Sequence, residues 1–118
     1  MAGLTTHVLD TTRGRPAAGV EIELYSLSSE GAATLVARAT TNADGRTDAP
    51  LISAENSRLG TFELRFRVGP YFTAQGAVIA DPPFLDVVPI RFSIADPTAH
   101  YHVPLVATPW SYSTYRGS

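Results

Sequence analysis

Three histidines are the side chains in this sequence best suited to acid–base chemistry. An imidazole with an ordinary pKa of about 6.5 exchanges its proton around neutral pH, so it can serve as a general base or a general acid. His7 stands near the beginning of the sequence, and His100 and His102 stand near its end. If the strands that carry His7 and His102 pair, one imidazole can act as a base while the other holds a proton or a hydrogen bond. The alternative is that each histidine is an ordinary exposed surface residue.

Arg46 is the candidate for binding substrate oxygens and developing negative charge. It follows Asn42-Ala43-Asp44-Gly45, a strong turn signal because Asn, Asp and Gly tolerate positive φ angles. We expect this turn to place the arginine at the mouth of a short strand, where a guanidinium can bind two oxygens at once. Many sandwich domains carry Asp-Gly followed by a charged residue without any function, so the pattern alone leaves both interpretations open.

The segment Tyr115-Arg116-Gly117-Ser118 supplies a phenol, a guanidinium and a hydroxyl, and Ser118 also supplies a terminal carboxylate. It follows on from a polar and aromatic strand that we expect over residues 111–116. A final strand without internal proline is typical of a sheet edge, and an open edge can pair with another chain. These residues are therefore candidates for substrate contact or for a subunit interface.

Other reaction chemistries lack their usual motifs. The sequence has no cysteine, no His-x-x-x-His, no Gly-x-Ser-x-Gly turn and no glycine-rich phosphate loop. His100 and His102 share a strand face, where an adventitious metal ion could bind, but we predict no metal site.

Alternating hydrophobic residues predict the two strands that must position the histidines. In residues 100–107 the odd-numbered side chains are apolar and face a core, so His100 and His102 point away from it. In residues 4–10 the even-numbered side chains face the core, and His7 lies opposite. Both strands are therefore expected to direct imidazoles away from the hydrophobic interior.

The remaining pattern predicts an all-β sandwich. Further strands are expected at regular spacing, over residues 20–27, 34–40, 61–68 and part of 84–94. Turn residues fill 11–19, and residues 51–60 are expected to form a polar connection. Residues 71–80 are the one predicted helix, of about two turns. We find no internal repeat or second domain, so residues 1–118 are predicted to form a single domain.

Composition argues against several classes of partner. The formal net charge is −2 and no basic cluster occurs, which disfavours nucleic acid binding. No apolar run approaches the length needed to span a membrane, and residues 1–7 lack the basic and apolar regions of a signal peptide. With 44% hydrophobic residues, the chain can form a real core. We therefore expect a soluble, cytoplasmic protein without nucleic acid or membrane partners.

Together these motifs resemble those of the 5-hydroxyisourate hydrolases, the transthyretin-related enzymes of purine breakdown. The most specific match is Tyr115-Arg116-Gly117-Ser118, which transthyretin itself lacks, and it follows the segment His100-Tyr101-His102. Further matches are spread along nearly the whole chain and comprise Leu4-Thr5-Thr6-His7-Val8-Leu9-Asp10, Gly14-Arg15-Pro16-Ala17, Asp44-Gly45-Arg46, Gly69-Pro70-Tyr71-Phe72 and Pro89-Ile90-Arg91-Phe92. The stretch from Ala80 to Val88, with its double proline, fits the family less well.

The resemblance implies a fold, an activity and a set of site residues. The implied fold is a transthyretin-like sandwich of two four-stranded sheets with one short helix, assembled as a homotetramer through edge-strand dimers. The implied activity is hydrolysis of 5-hydroxyisourate to the ureido-imidazoline OHCU in urate degradation, a cyclic amide hydrolysis without a cofactor. The implied catalytic residues are His7, Arg46 and His102. The implied substrate-binding residues are His7, Arg46, Tyr115, Arg116, Gly117 and Ser118.

Two other functions remain open at this point. A small-molecule carrier, as transthyretin is, would have an apolar ligand channel with few polar groups, whereas the corresponding faces here carry imidazoles and a guanidinium. A β-sandwich interaction module would be monomeric and would tolerate loss of residues 115–118. The sequence also leaves open whether His7 or His102 activates the water.

Overall fold

The computed structural model describes residues 2–117, which form two four-stranded sheets in the orders β2-β1-β7-β8 and β4-β3-β5-β6. The strands are β1 (Gly3–Asp10), β2 (Arg15–Pro16), β3 (Glu21–Leu27), β4 (Ala33–Thr40), β5 (Gly60–Arg67), β6 (Val87–Ile94), β7 (His100–Ala107) and β8 (Tyr112–Thr114). The α-helix α1 spans Val68–Ala74, and a 3₁₀ helix spans Ala54–Asn56. Neither described helix is long and apolar enough to cross a bilayer. The predicted all-β sandwich of two four-stranded sheets with one short helix is confirmed.

The first sheet joins the two strands that carry the histidines. β1 and β7 run parallel, with Thr5 opposite His102 and His7 opposite Pro104. Deeply buried positions alternate with half-buried ones along β1 and at the start of β7, as the sequence pattern predicted. Because paired residues point to the same side of a sheet, the outward-facing side chains of both strands share one face. The predicted placement of His7 and His102 on that face is confirmed.

A single hydrophobic core combines residues of both sheets and α1. Its largest fully buried side chains include Phe62, Phe66, Phe72, Leu4, Ile22, Leu24, Leu64, Ile94 and Leu105. Each such side chain contributes about 1.5–3 kcal/mol through burial. A register slip of one residue would turn these side chains to the opposite face, so the core also fixes the position of the histidines.

The outer face of the second sheet carries an ion-pair network, defined here as Glu23, Glu63, Arg38, Arg65, Arg67 and Arg91. Each glutamate lies against two arginines, with N–O distances between 2.8 and 3.3 Å. Both glutamates are buried beneath the arginines, with Glu23 8% and Glu63 7% exposed. The network links all four strands of this sheet, since its members lie on β3, β4, β5 and β6.

The segment expected as a polar connection contributes to the core, so that expectation was wrong for part of it. Leu51 and Ile52 are buried because they lie along β1. The backbone N–H of Leu51 donates to the carbonyl of Leu4, and that of Leu4 donates to the carbonyl of Ile52, both at 2.9 Å. The short strand expected after Arg46 does not form, and Arg46 and Ile52 each make one isolated bridge to β1 instead.

α1 begins at Val68 and ends at Ala74, so the helix predicted over 71–80 was misplaced at both ends. Pro70 stands in the first turn, where a missing backbone N–H costs no helical hydrogen bond. Val68, Tyr71 and Phe72 bury one face of the helix against the core. Within the turn expected over 11–19, two residues form β2 and pair with the end of β1.

Candidate active site

β1 places His7 directly beside the turn that carries Arg46. His7 and Arg46 form an isolated antiparallel bridge, and the N–H of Val8 donates to the carbonyl of Gly45 at 2.8 Å. The ring Nε2 of His7 lies 2.8 Å from the carbonyl oxygen of Asp44. Because a carbonyl oxygen only accepts, Nε2 carries the proton, and Nδ1 of a neutral His7 has a free lone pair.

The turn before Arg46 is built by one asparagine side chain and one glycine. The Oδ1 of Asn42 accepts from the backbone N–H of Asp44 at 2.9 Å and from that of Arg46 at 3.2 Å. Gly45 has a φ of 75°, and a Cβ at this position would collide with the carbonyl oxygen of Val8. The side chain of Arg46 is exposed, and its guanidinium makes no ion pair within residues 2–117. It is therefore available to a ligand.

The half-buried imidazole of His102 has a pKa below its ordinary value. Burial is the largest cause, followed by the positive charge of Arg46 and by the neighbouring His100 and His7. A hydrogen bond with the backbone of Thr5 acts in the opposite direction and is weaker. The neutral ring, which can take up a proton, is therefore favoured at neutral pH. His7, Arg46 and His102 thus lie within electrostatic range of one another in one chain.

Thr5 is a member of this cluster that the sequence analysis missed. Its hydroxyl lies 2.8 Å from Nδ1 of His102 and 3.0 Å from Nε2 of His100. The two imidazoles are nearly parallel, at an interplanar angle of 23° and a centroid separation of 6.3 Å. Thr5 has the same strand parity as His7, but only the parallel register with β7 reveals that it faces His102.

Gly117 packs against the His102 imidazole. Its backbone N–H donates to the carbonyl of His102 at 2.7 Å, and the two residues form an isolated bridge. A Cβ at Gly117 would lie 2.6 Å from Cδ2 of His102, which is too close for two carbon atoms. The structure therefore places this member of the predicted C-terminal set at the site, held through its backbone.

The side chains of Tyr115 and Arg116 lie at a different place. Both line a cavity of about 250 Å³ at the edge between the two sheets. The guanidinium of Arg116 lies over the ring of Tyr101, at 4.1 Å from its centroid, and donates to the carbonyl of His100 at 3.3 Å. Their predicted contact with substrate stays a prediction, and Ser118 lies outside the described residues.

Within residues 2–117, the cluster consists of nitrogen and hydroxyl groups, and no carboxylate or thiolate of these residues is in hydrogen-bond contact with it. Among residues 2–117, no group of three or more His, Cys, Asp or Glu side chains is arranged to hold a metal ion. The chemistry that these side chains can perform themselves is proton transfer by an imidazole, next to a cation that can bind a polar or anionic ligand.

The two sheets and the position of the cluster define a class of protein, a transthyretin-like β-sandwich with imidazoles and a guanidinium on the outer face of its first sheet. A family model described as HIUase/Transthyretin family matches residues 4–117. The chain belongs to the HIUase/Transthyretin family. The resemblance that the sequence motifs indicated is thereby confirmed.

Curated relatives match this chain over nearly their full length. A protein of Deinococcus radiodurans named 5-hydroxyisourate hydrolase is 60% identical over 116 residues, which cover 98% of this chain and 96% of that protein. A protein of Ralstonia nicotianae with the same name is 50% identical over 118 residues, and the match covers 100% of both chains.

Solved structures with the same fold carry different names. The 5-hydroxyisourate hydrolase of Klebsiella pneumoniae superposes with a TM-score of 0.82 at 33% identity and full coverage of both chains. Transthyretin from Sparus aurata superposes with a TM-score of 0.86 at 27% identity, and the match covers 99% of this chain and 97% of that chain. An (S)-allantoin synthase gives 0.91 at 46% identity; the match covers 98% of this chain, which spans only 43% of that longer one.

Proposed function

We propose that this chain hydrolyses 5-hydroxyisourate to the ureido-imidazoline OHCU, a step of urate degradation. The observation that carries the proposal is a neutral, half-buried His102 within electrostatic range of Arg46 and His7 on one sheet face. The names of the full-length relatives supply the substrate. We expect the reaction to take place in the cytoplasm, which fractionation of the source cells would test.

His102 acts as the general base in this proposal. Its Nδ1 is engaged by Thr5, and no partner within residues 2–117 bonds to its Nε2, which leaves that nitrogen for a water molecule. General base assistance of this kind is typically worth about 10²–10⁴-fold in rate. The low pKa keeps the ring unprotonated at neutral pH, so the base is available without a preceding deprotonation.

Arg46 and His7 bind the substrate. The exposed guanidinium of Arg46 donates hydrogen bonds to two substrate oxygens and offsets the negative charge that develops on the attacked carbonyl. His7 is fixed by Asp44 and offers Nδ1 as a hydrogen-bond acceptor to a ring N–H. Gly117 lets the substrate and the His102 ring approach closely because it has no side chain. Contact of Tyr115, Arg116 and Ser118 with the substrate is also part of the proposal, although the side chains of Tyr115 and Arg116 line the separate cavity at the sheet edge.

The reaction balances with one water molecule and no cofactor. Nε2 of His102 takes one proton of the water molecule while the oxygen of the water bonds to a ring carbonyl carbon of the substrate. When the intermediate collapses, the carbon–nitrogen bond of the ring breaks, and the proton on His102 passes to the released nitrogen. The carbonyl carbon becomes a carboxyl group, and the base returns to its neutral form.

The test of this proposal is a substitution of the base. We expect His102→Ala to keep the wild-type circular dichroism spectrum while turnover of freshly generated 5-hydroxyisourate falls by about 10²–10⁴-fold. The matched control is Val106→Ala, which truncates an outward-facing side chain of the same strand. The measurement is ultraviolet decay of the urate oxidase product with and without protein. Turnover of His102→Ala at the wild-type rate would exclude the assignment.

We propose further that the chain assembles as a homotetramer through edge-strand dimers. β6 and β8 are each one of the two edge strands of their sheets, and both contribute to the same cavity, so these two edges lie on one side of the sandwich. A second copy can therefore extend both sheets at once. Light scattering of the intact chain should give the mass of four chains, whereas a monomer that is indifferent to deletion of residues 115–118 would favour the interaction module.

The carrier alternative is disfavoured by the polar character of the site. An apolar ligand channel contains few convergent polar groups. Here the outer face of the first sheet carries three imidazoles, the hydroxyl of Thr5 and an adjacent exposed guanidinium. Burying these groups beneath an apolar ligand would leave them without hydrogen-bond partners, at a cost of about 1–3 kcal/mol each.

A further inference from the structure

The hydroxyl of Thr5 bridges two imidazoles. It lies within hydrogen-bond distance of Nδ1 of His102 and Nε2 of His100, at 2.8 and 3.0 Å. All three side chains are half-buried on the outer face of the first sheet. His100 has no part in the reaction as described so far, and Thr5 has been described only as a partner of Nδ1 of His102.

If the hydroxyl donates one of these two bonds and accepts the other, the bridge has two possible arrangements. In the first, Thr5 donates to His102 and accepts from His100, so that Nδ1 of His102 is bare and Nε2 carries the proton. In the second, Thr5 accepts from Nδ1–H of His102 and donates to the bare Nε2 of His100. Only the second leaves a lone pair on Nε2 of His102, and a general base needs that lone pair.

We propose that Thr5 and His100 form a proton relay behind His102. Thr5 donates to His100 and accepts from His102, which fixes the tautomer of His102 with a bare Nε2 and connects the base to a second imidazole that can hold its proton. Thr5 and His100 are positioning residues, since neither needs to touch the substrate. The proposal rests on the proposed role of His102 as the base.

The proton count of the relay closes. As Nε2 of His102 takes a proton from water, its Nδ1 proton moves to Thr5, and the hydroxyl proton of Thr5 moves to Nε2 of His100. His102 is then neutral and His100 carries the positive charge. When Nε2 of His102 gives its proton to the leaving nitrogen, the two transfers reverse and all three groups regain their starting state.

The charges around His102 explain why a relay would help this base. Arg46, His7 and His100 are the charged or titratable groups that act on His102, and each disfavours a positive charge there. Gly117, which packs on the other side of the ring, has no charged side chain. Moving the charge through Thr5 takes it off the ring closest to the developing intermediate. Arg116 contacts His100 only through the backbone carbonyl.

The first experiment reads the tautomers without substrate. Two-bond ¹H–¹⁵N spectra of the resting protein should show His102 protonated at Nδ1 and bare at Nε2, and His100 bare at Nε2. In Thr5→Val this pattern should be lost at His102, whereas Thr5→Ser should keep it. A proton found on Nε2 of His102 in the wild-type protein would overturn the relay.

The second experiment measures turnover. Thr5→Val and His100→Gln should each lower kcat by at least about tenfold, part of the 10²–10⁴-fold effect of a general base, with KM changed by less than about twofold. Thr5→Ser should retain most of the activity. The control is Thr61→Val, which removes a hydroxyl that bonds to Ser93 on the other sheet.

The outcomes separate the relay from the proposed function. Wild-type kcat in both Thr5→Val and His100→Gln, together with an inactive His102→Ala, would overturn the relay and leave His102 as the base. Loss of activity in Thr5→Val but not in His100→Gln would also overturn it, because the hydroxyl would then act without the second imidazole. Full activity of His102→Ala would instead overturn the proposed function.

Discussion

At the scale of single residues, the imidazole of His102 is fixed from two sides. The hydroxyl of Thr5 binds Nδ1 on one side, and Gly117 packs against the ring on the other. Catalysis by a positioned base tolerates little displacement, because a shift of about 1 Å can cost a factor of about 10² in rate. The residues that hold the ring should therefore affect activity more than stability.

Gly117→Ala tests this expectation. Its Cβ would lie 2.6 Å from Cδ2 of His102, so the ring must move or the backbone bridge must open. We expect kcat to fall by about tenfold to a hundredfold, with a small change in the thermal midpoint because the site is outside the core. The matched control is Ser113→Ala on the exposed edge strand β8, and wild-type kcat in Gly117→Ala would show that the ring is not confined there.

At the scale of the elements, alternation along the strands was enough to predict which faces carry the histidines. His7 and His102 were placed correctly because a core imposes strict parity on β1 and β7. The contact of Thr5 with both imidazoles could not be predicted, because the alternation of side chains along each strand does not determine the register or the direction in which β1 and β7 pair. Leu51 and Ile52 were missed because two adjacent apolar residues show no period.

The helix was misplaced for a related reason. The strand predicted over residues 61–68 and the helix predicted from residue 71 left Pro70 between them, but a proline in the first turn of a helix is equally compatible with local sterics. The position of the helix is determined by burial of Val68, Tyr71 and Phe72, and this burial depends on the surrounding sheets. The hydroxyl of Tyr71 donates to Oδ2 of Asp10 at 2.8 Å, which is likewise a tertiary contact. Burial, together with this hydrogen bond, raises the pKa of Tyr71 to about 12.

The second sheet should respond to acid through its ion-pair network. Hydrogen bonding from Arg65 is the main cause of the lowered pKa of Glu63, against burial and with help from Arg91. Burial alone would raise the pKa of Glu23, but Arg67 and Arg38 together outweigh it and lower the pKa. A carboxyl whose pKa is lower in the folded than in the unfolded chain adds stability above the unfolded value of about 4.3.

We therefore expect the stabilising contribution of both glutamates to be complete at neutral pH and to be lost as the pH falls below about 4.3 through the folded pKa. Glu63→Gln should lower the free energy of unfolding at pH 7 by about 1–2 kcal/mol, a modest loss because the arginines around Glu63 are partly exposed. It should also flatten the acid dependence of this free energy, because the substitution removes a titrating carboxyl. Urea unfolding at a series of pH values measures both. Glu30→Gln, in an exposed turn, is the control, and an unchanged slope in Glu63→Gln would contradict the account.

At the scale of the whole molecule, the two sheets differ in the range of their contacts. The second sheet grows from the β3–β4 hairpin, and its bond between Glu23 and Arg67 spans 44 positions. The first sheet pairs β1 with β7, and its bond between Thr5 and His102 spans 97 positions. A doubling of loop length costs only about 0.6 kcal/mol in closure entropy, so sequence separation alone does not distinguish the two sheets strongly. The more important difference is that the second sheet can extend strand by strand from a hairpin, whereas the first sheet cannot.

The order of folding should follow this difference. In refolding followed by pulsed hydrogen exchange, we expect amides of β3 and β5 to become protected before those of β1 and β7. Activity should return with the later group, because the site needs both of its strands. Protection of β1 and β7 at the same time as β3, or before it, would contradict the prediction.

The pairing of β1 with β7 has a consequence for protein synthesis. A ribosome that has not yet translated residues 100–107 has produced all four strands of the second sheet, but not the strand that completes the proposed catalytic groups beside β1. Nascent or prematurely terminated chains of this kind would bury part of a core and still be catalytically silent. Turnover thus reports that translation has passed β7, which makes an enzymatic assay a sensitive measure of full-length product.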